Sequence, residues 1–498
     1  MGYAGRGAAF ARRSLALAAS IAFFACESAT SAGDEGAAQP RAAEPAEPIV
    51  PEPSADLGRV IHLAQTTQRP IHLGAGEYEL SSRAPVEVTE PLVLRGQGTE
   101  TVLRGDGTDL LRVRAPIRVE RLAIEDAGAV FSYEAREPVT GITLRDLRIT
   151  GSGTFLAAPP DAAAAADVTV ERVYVNGGEQ SLGILWRAPV DDFRVTGSRF
   201  VDSYRRAIQV GDSNAGKTAD AWSNVRVLQT VVAGVDGRDA ASTYGIHIVG
   251  AGVLIRGNAL RDVTQADRTR GDGIYTAAWG SVVAENRLED IQNRSAIQIK
   301  GAPRRDDFPH KTGRNLVTNN VIRAERTTRR GINVSSSDVT VRENAIAGGG
   351  HMGTGIQVSG GPFDDVTIVG NTVRSTSRGI SSSAAGDRLA VASNRIVDTE
   401  GHGINIDPTS GLRARIDDIT VRHNHITATG GSGVYVRVRG TAEHAALRGV
   451  RVTGNNFRDV GRHAIHFSAD AEAPWRQPAV EDNAFFDVAG LNHRGLSR

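Results

Sequence analysis

The chain has 498 residues, with 57 Lys and Arg against 57 Asp and Glu, a single cysteine, 56 glycines and 5% aromatic residues. The balanced charge argues against a surface built to coat nucleic acid, and one cysteine excludes an internal disulfide framework or a cysteine-clustered metal site. Only Lys217, Lys300 and Lys311 are lysines, against 54 arginines, so arginine as such says little about function.

Arg6, Arg12 and Arg13 precede an apolar run from Leu15 to Ala25, which is shorter than the roughly 20 residues a bilayer span requires. This pattern predicts an export signal over residues 1–25. Cys26 closes the run as Ile21-Ala22-Phe23-Phe24-Ala25-Cys26, which resembles a bacterial lipoprotein box and implies that Cys26 becomes a lipid-modified N-terminus. Cleavage after Ala32, giving a secreted protein, is the alternative. Residues 26–56 are Ala, Pro, Glu and Ser with almost no large apolar side chains, and are expected to form a disordered tether. The expected location is therefore the outer membrane or cell surface, with the membrane touched through the anchor alone.

Beyond the tether two short patterns alternate along the chain. In the first, a small residue precedes Ile or Val, a polar residue and a second Ile or Val, as at Gly245-Ile246, Gly273-Ile274, Ala296-Ile297, Gly331-Ile332, Gly355-Ile356 and Gly403-Ile404. The second places Asn within an apolar frame, at Asn258, Asn286, Asn320, Asn344, Asn371, Asn394, Asn424, Asn455 and Asn483. Each apolar run is three to five residues long with period two, the signature of a strand with one buried face, and nothing between the runs is long enough for a helix. A repeat of about 24 residues with three short strands cannot close its own core, so successive coils must stack in parallel. These repeats resemble the right-handed parallel β-helix of the pectate-lyase type, an all-β solenoid, over residues 57–490, with 491–498 as a C-terminal tail. The resemblance implies that the Asn column is an internal ladder at the turn between the second and third strands, where Asn tolerates a positive φ. A monomer is expected.

In the first pattern the two Ile or Val residues point inward, so the residue between them and the one after point outward. Stacking turns these positions into columns: Gln209, His247, Tyr275, Gln298, Asn333, Gln357; then Val249, Ala277, Lys300, Ser335; and, just before the small residue, Arg206, Tyr244, Asp272, Ser295, Arg330. Longer spacings place insertions at 212–224 and 301–315, predicting a walled groove that contains His247, Asp272, Tyr275, Trp279, Lys300, Arg329 and Arg330.

In carbohydrate-active members of the resembled family the substrate cleft follows this strand face, which implies a polysaccharide partner and, for a uronate polymer, β-elimination. That reaction needs a cation for the carboxylate, a base and an acid, and Arg330, Lys300 and Tyr275 are the right types, with His247 as the alternative base. Gln298, Asn333, Asp272, Trp279 and Arg329 would bind substrate. A non-catalytic surface solenoid that binds glycan or protein is the rival reading, favoured by the Ser and Gln run over coils 355–383. Gly401-His402-Gly403 with Arg437 resembles polygalacturonase motifs, but the preceding outward positions, Gln357, Ser359, Ser381 and Ser383, supply no acid for hydrolysis. No cofactor or metal is expected. Calcium would need clustered carboxylates, and Asp306-Asp307, Asp364-Asp365 and Asp417-Asp418 are only pairs, as turns often carry.

Overall fold

The computed structural model describes residues 46–80, 84–177, 182–212, 219–237, 242–265, 271–292, 294–301, 312–360, 363–408, 414–438, 445–469 and 478–494. The export signal and Cys26 lie outside these residues. Among the described residues no helix is long and apolar enough to cross a membrane.

Three strands make one coil, and each strand pairs in parallel with its counterpart one coil on. Thr243–Ala251 is followed by Leu254–Arg256 and Ala259–Thr264, and these pair with Gly271–Trp279, Val282–Ala284 and Arg287–Gln292 respectively. Ser295–Lys300 and then Thr328–Ser335 continue the first of these sheets. Inward Ile and Val close the core: Ile246, Ile248, Ile274, Ile297, Ile299, Ile332 and Val334 are fully buried, one above the other. The register follows directly from period two, because a one-residue slip would turn this apolar set outward.

The asparagine column is an unbroken ladder from Asn258 to Asn483. Asn371 shows its chemistry. Its side-chain amide donates to Val341 O at 2.9 Å and to Asn394 Oδ1 at 3.0 Å, while its Oδ1 accepts from Asn344 N at 3.0 Å and Asn344 Nδ2 at 2.9 Å. Asn258 Oδ1 accepts from Thr230 N, and upstream the same job passes to hydroxyls, with Val173 N donating to Ser198 Oγ and Ala127 N to Ser152 Oγ. The expected positive φ falls one residue earlier than the asparagine, at Gly257, Glu285, Asn319, Glu343, Gly370, Ser393 and His423. The ladder residue is thus selected for its amide, and the turn strain is borne by its neighbour. Asp365 and Asp418 also occupy left-handed turn positions, as their pairing suggested.

Two expectations at the N-terminal end are corrected. A helix, α1, spans Leu57–Thr67, where no helix was expected; Leu57, Ile61, Ala64 and Gln65 form its buried stripe, and Asp56 caps it by accepting from Arg59 N. It packs on the first coil, where Gln65 Oε1 accepts from Thr89 N at 2.8 Å and Glu90 N at 3.1 Å. The tether cannot extend to residue 56 either, because Ile49 bridges Ile71 in parallel and His72 N donates to Ile49 O. At the other end the last strand, Ala484–Arg494, carries the solenoid beyond residue 490.

Candidate functional site

The predicted columns are present in register. Gln209, His247, Tyr275, Gln298, Asn333 and Gln357 face one another on successive coils, as do Arg206, Tyr244, Asp272, Ser295 and Arg330. Their environment is not the solvated face that outward positions imply. His247 is 7% exposed, Tyr275 8%, Asp272 1% and Gln298 0%. Buried polar groups demand partners, so the way these are satisfied or left unsatisfied identifies the reactive part of the face.

Three rings meet at its centre. Tyr244 lies 4.6 Å from His247 and 5.4 Å from Tyr275, and His247 meets Tyr275 edge to face at 4.7 Å. Neither His247 nitrogen has a hydrogen-bond partner. Burial, followed by the charges of Arg206 and Lys300, pushes the imidazole down to about 3, so it is neutral at physiological pH. Burial likewise raises the Tyr275 phenol, aided by Tyr244 and Asp272, which leaves it a proton donor. Asp272 is pushed up to about 7 by burial, against the opposing pull of Arg294, of a hydrogen bond from Ser295 and of Arg330. Its Oδ1 has no partner.

Downstream the face becomes a bonded polar ladder. Asn333 Nδ2 donates to Gln298 Oε1 at 2.6 Å, Arg294 Nη2 to the same oxygen at 2.8 Å, and Ser359 Oγ to Asn333 Oδ1 at 2.8 Å. Arg330 Nε donates to Gln357 Oε1. Beside this ladder a cleft of about 790 Å³ opens, lined among others by Arg329, Arg330, His351, Arg378 and Glu400. Three guanidiniums face one carboxylate there, so the cleft favours an anion.

The predicted residues therefore divide. His247, Tyr275 and Asp272 are brought together, Gln298 follows Tyr275 in the column and is hydrogen-bonded to Asn333, and Arg329 and Arg330 lie in the cleft. Lys300 sits opposite Ala277 and Ser335, whereas Arg330 sits opposite Ser295, five residues upstream along the strand. At 3.3 Å per residue that separates the two columns by up to about 16 Å, so Lys300 and Arg330 do not share one sugar-sized position. Trp279 pairs with Ala251 at the far end of its strand, and its indole N–H donates to Asp220 Oδ1 at 3.2 Å, away from the ring cluster. Of the insertions expected to form walls, residues 213–218 and 302–311 lie outside the described residues. Sequence reasoning did not single out Arg294 or Arg378. Arg378 was visible in the column before the small residue, but Arg294 stands outside every repeat position. Among the described residues no three His, Cys, Asp or Glu side chains converge to hold a metal ion.

Parallel coils of three short strands, stacked on an internal asparagine ladder, define a right-handed parallel β-helix. The family model described as "Right handed beta helix region" matches residues 173–387 and 316–485, and the chain belongs to that family. No curated protein matches the chain. Among solved structures it is similar to a mannuronic acid specific polysaccharide family 6 lyase from human gut microbiota, at 14% identity and TM-score 0.36, covering 84% of this chain and 86% of that one. It is also similar to the catalytic unit of a GH87 α-1,3-glucanase from Streptomyces thermodiastaticus, at 12% identity and TM-score 0.38, covering 90% and 70%. A third is the tailspike protein of E. coli bacteriophage HK620 in complex with a pentasaccharide, at 11% identity and TM-score 0.41, covering 88% and 76%. These likenesses assign no residue or reaction here.

Proposed function

We propose that this protein is a carbohydrate-active β-helix that holds an acidic polysaccharide in the arginine cleft and cleaves it by β-elimination. The observation that carries the reading is the cleft itself, in which Arg329, Arg330 and Arg378 face the single carboxylate of Glu400 beside a buried cluster of proton donors and acceptors. Elimination from a uronate removes the proton from the carbon bearing the carboxylate. The electrons of that C–H bond form a carbon–carbon double bond, the glycosidic C–O bond breaks, and the leaving oxygen takes a proton. His247 accepts the proton and Tyr275 supplies one to the leaving oxygen, while Arg330, three coils from His247, holds the carboxylate of another sugar of the same chain. Lys300, the other base that the sequence offers, acts on His247 through its charge. The chain works outside the cytoplasm, reached through the export signal and held by Cys26; the support for this is the sequence of residues 1–56.

Binding tests the cleft separately from the chemistry. Arg330→Ala and Arg378→Ala should each weaken binding of a polyuronate about tenfold, an effect that shrinks in high salt. Wild-type affinity in both variants would remove the cleft from the site. A non-catalytic glycan binder is the second reading, favoured by hydrogen bonds such as Asn405 to Ser381 and Gln357 to Ser383, which fix a polar surface without reactive groups. It predicts binding without product.

A further inference from the structure

The cleft ends at Glu400 and Gly401, and the next residue begins a second ring cluster on the same solenoid face. His402 stacks on Tyr435 with centroids 4.5 Å apart and planes within 7°. Tyr435 in turn meets His466 edge to face at 5.1 Å. Tyr435 lies in the column of His247 and Tyr275, opposite Asn405 on one side and His466 on the other. Unlike His247 and Tyr275, His402 and Tyr435 are both partly open to solvent.

The polar edges of this pair are set by the backbone. Ser432 N–H donates to His402 Nδ1 at 2.9 Å, which fixes the neutral tautomer with its proton on Nε2. Burial, with the charges of Arg462 and Arg378, pushes His402 down to about 4, so this tautomer holds across the neutral range. The stack covers one face of each ring, leaving Nε2–H as a donor and the Tyr435 hydroxyl as donor and acceptor. A stacked pair with fixed polar edges, at the mouth of a cationic cleft, matches the hydroxyl-rich edge of a sugar ring.

We infer that His402 and Tyr435 form a second glycan subsite, which hydrogen-bonds sugar hydroxyls of the same acidic polymer that the arginine cleft holds. This rests on the proposed polysaccharide reading and adds a length requirement to it. Arg330 and Tyr435 lie four coils apart, about 19 Å at 4.8 Å per coil, so only a ligand of at least that span reaches from Arg330 to Tyr435. Linking two subsites through one ligand raises affinity for long chains alone.

The test is calorimetric titration of the full chain with a length series of uronate oligosaccharides, from disaccharide to a chain longer than this span. Wild type should bind the long members more tightly than the short ones. His402→Phe, which keeps a stacking ring and loses the donor, and Tyr435→Ala should each weaken the long members about 5- to 20-fold and leave the disaccharide unchanged. If His402→Phe keeps wild-type affinity for the long members, the pair is a structural stack and the second subsite is refuted. An equal loss on short and long members also refutes it. Failure of wild type to bind any uronate oligosaccharide overturns the reading of the cleft itself, an outcome separate from the variants.

Discussion

His247 and Tyr275 meet edge to face across successive coils, 4.7 Å between ring centroids, and both imidazole nitrogens lack a partner. A neutral base in contact with a protonated phenol is what an elimination needs on the two sides of its bond. Tyr275→Phe and His247→Gln should each lower turnover of an acidic polysaccharide by about 100-fold or more. Lys300→Ala should act differently, because its charge helps hold the imidazole down. The expected effect is activity retained at neutral pH with the acid limb of the pH–rate profile moved upward. Abolished turnover in Lys300→Ala beside full activity in His247→Gln would return the base to Lys300.

Asp272 supplies a stability signature. In the fold it keeps its proton up to about pH 7, whereas in the unfolded chain it ionises near pH 4. Between those values the unfolded chain loses a proton that the fold retains, so the Asp272 contribution makes stability fall as pH rises through this window. His247 works in the opposite direction between about pH 3 and 6.5, where the unfolded chain binds a proton that the fold refuses. Asp272→Asn removes only the first effect. Relative to wild type it should gain stability as pH rises from 4 to 7, by roughly 2 to 4 kcal/mol at the upper end. Urea midpoints at a series of pH values check this, and a pH-independent difference would show that Asp272 ionises normally in the fold.

The ladder predicts a positional contrast. Asn371→Leu removes an amide bonded on both sides and strands Asn344 N, which should cost about 3 kcal/mol. Asn483 ends the ladder, bonding Val452 O and Glu481 O and accepting from Asn455. It is more open to solvent, so Asn483→Leu should cost about 1 kcal/mol. Equal denaturation midpoints for the two variants would contradict the account of the ladder.

At the N-terminal end, Gln65 ties α1 to the first coil. Gln65→Leu leaves Thr89 N and Glu90 N without their acceptor, so the fold should lose about 2 kcal/mol. Hydrogen exchange should speed up at those two amides while the asparagine ladder stays protected.

The coils and their columns were legible because period two and strict alternation leave one register that buries Ile246, Ile274, Ile297 and Ile332 together. The helix over Leu57–Thr67 was also legible, since Leu57, Ile61, Ala64 and Gln65 have helical spacing behind an Asp cap, but its lone stripe lies outside the repeat. Burial of the outward face was not legible. Alternation tells which way a side chain points, and it cannot tell what lies beyond it. For the same reason Lys300 and Arg330 looked adjacent when counted by coil, although the register sets them five residues apart along the strand. Arg294 carried no signal, because it belongs to no column and acts through its charge on Asp272 and its hydrogen bond to Gln298.

The central claim is tested most directly by incubating the mature protein with a panel of uronate polysaccharides and following the ultraviolet absorbance of the unsaturated sugar formed at the new chain end. The account predicts a rise with at least one polyuronate, none with a neutral glucan, and loss of the rise in Tyr275→Phe. Flat absorbance on every polyuronate that the wild-type protein binds would contradict elimination and leave the face as a binding surface.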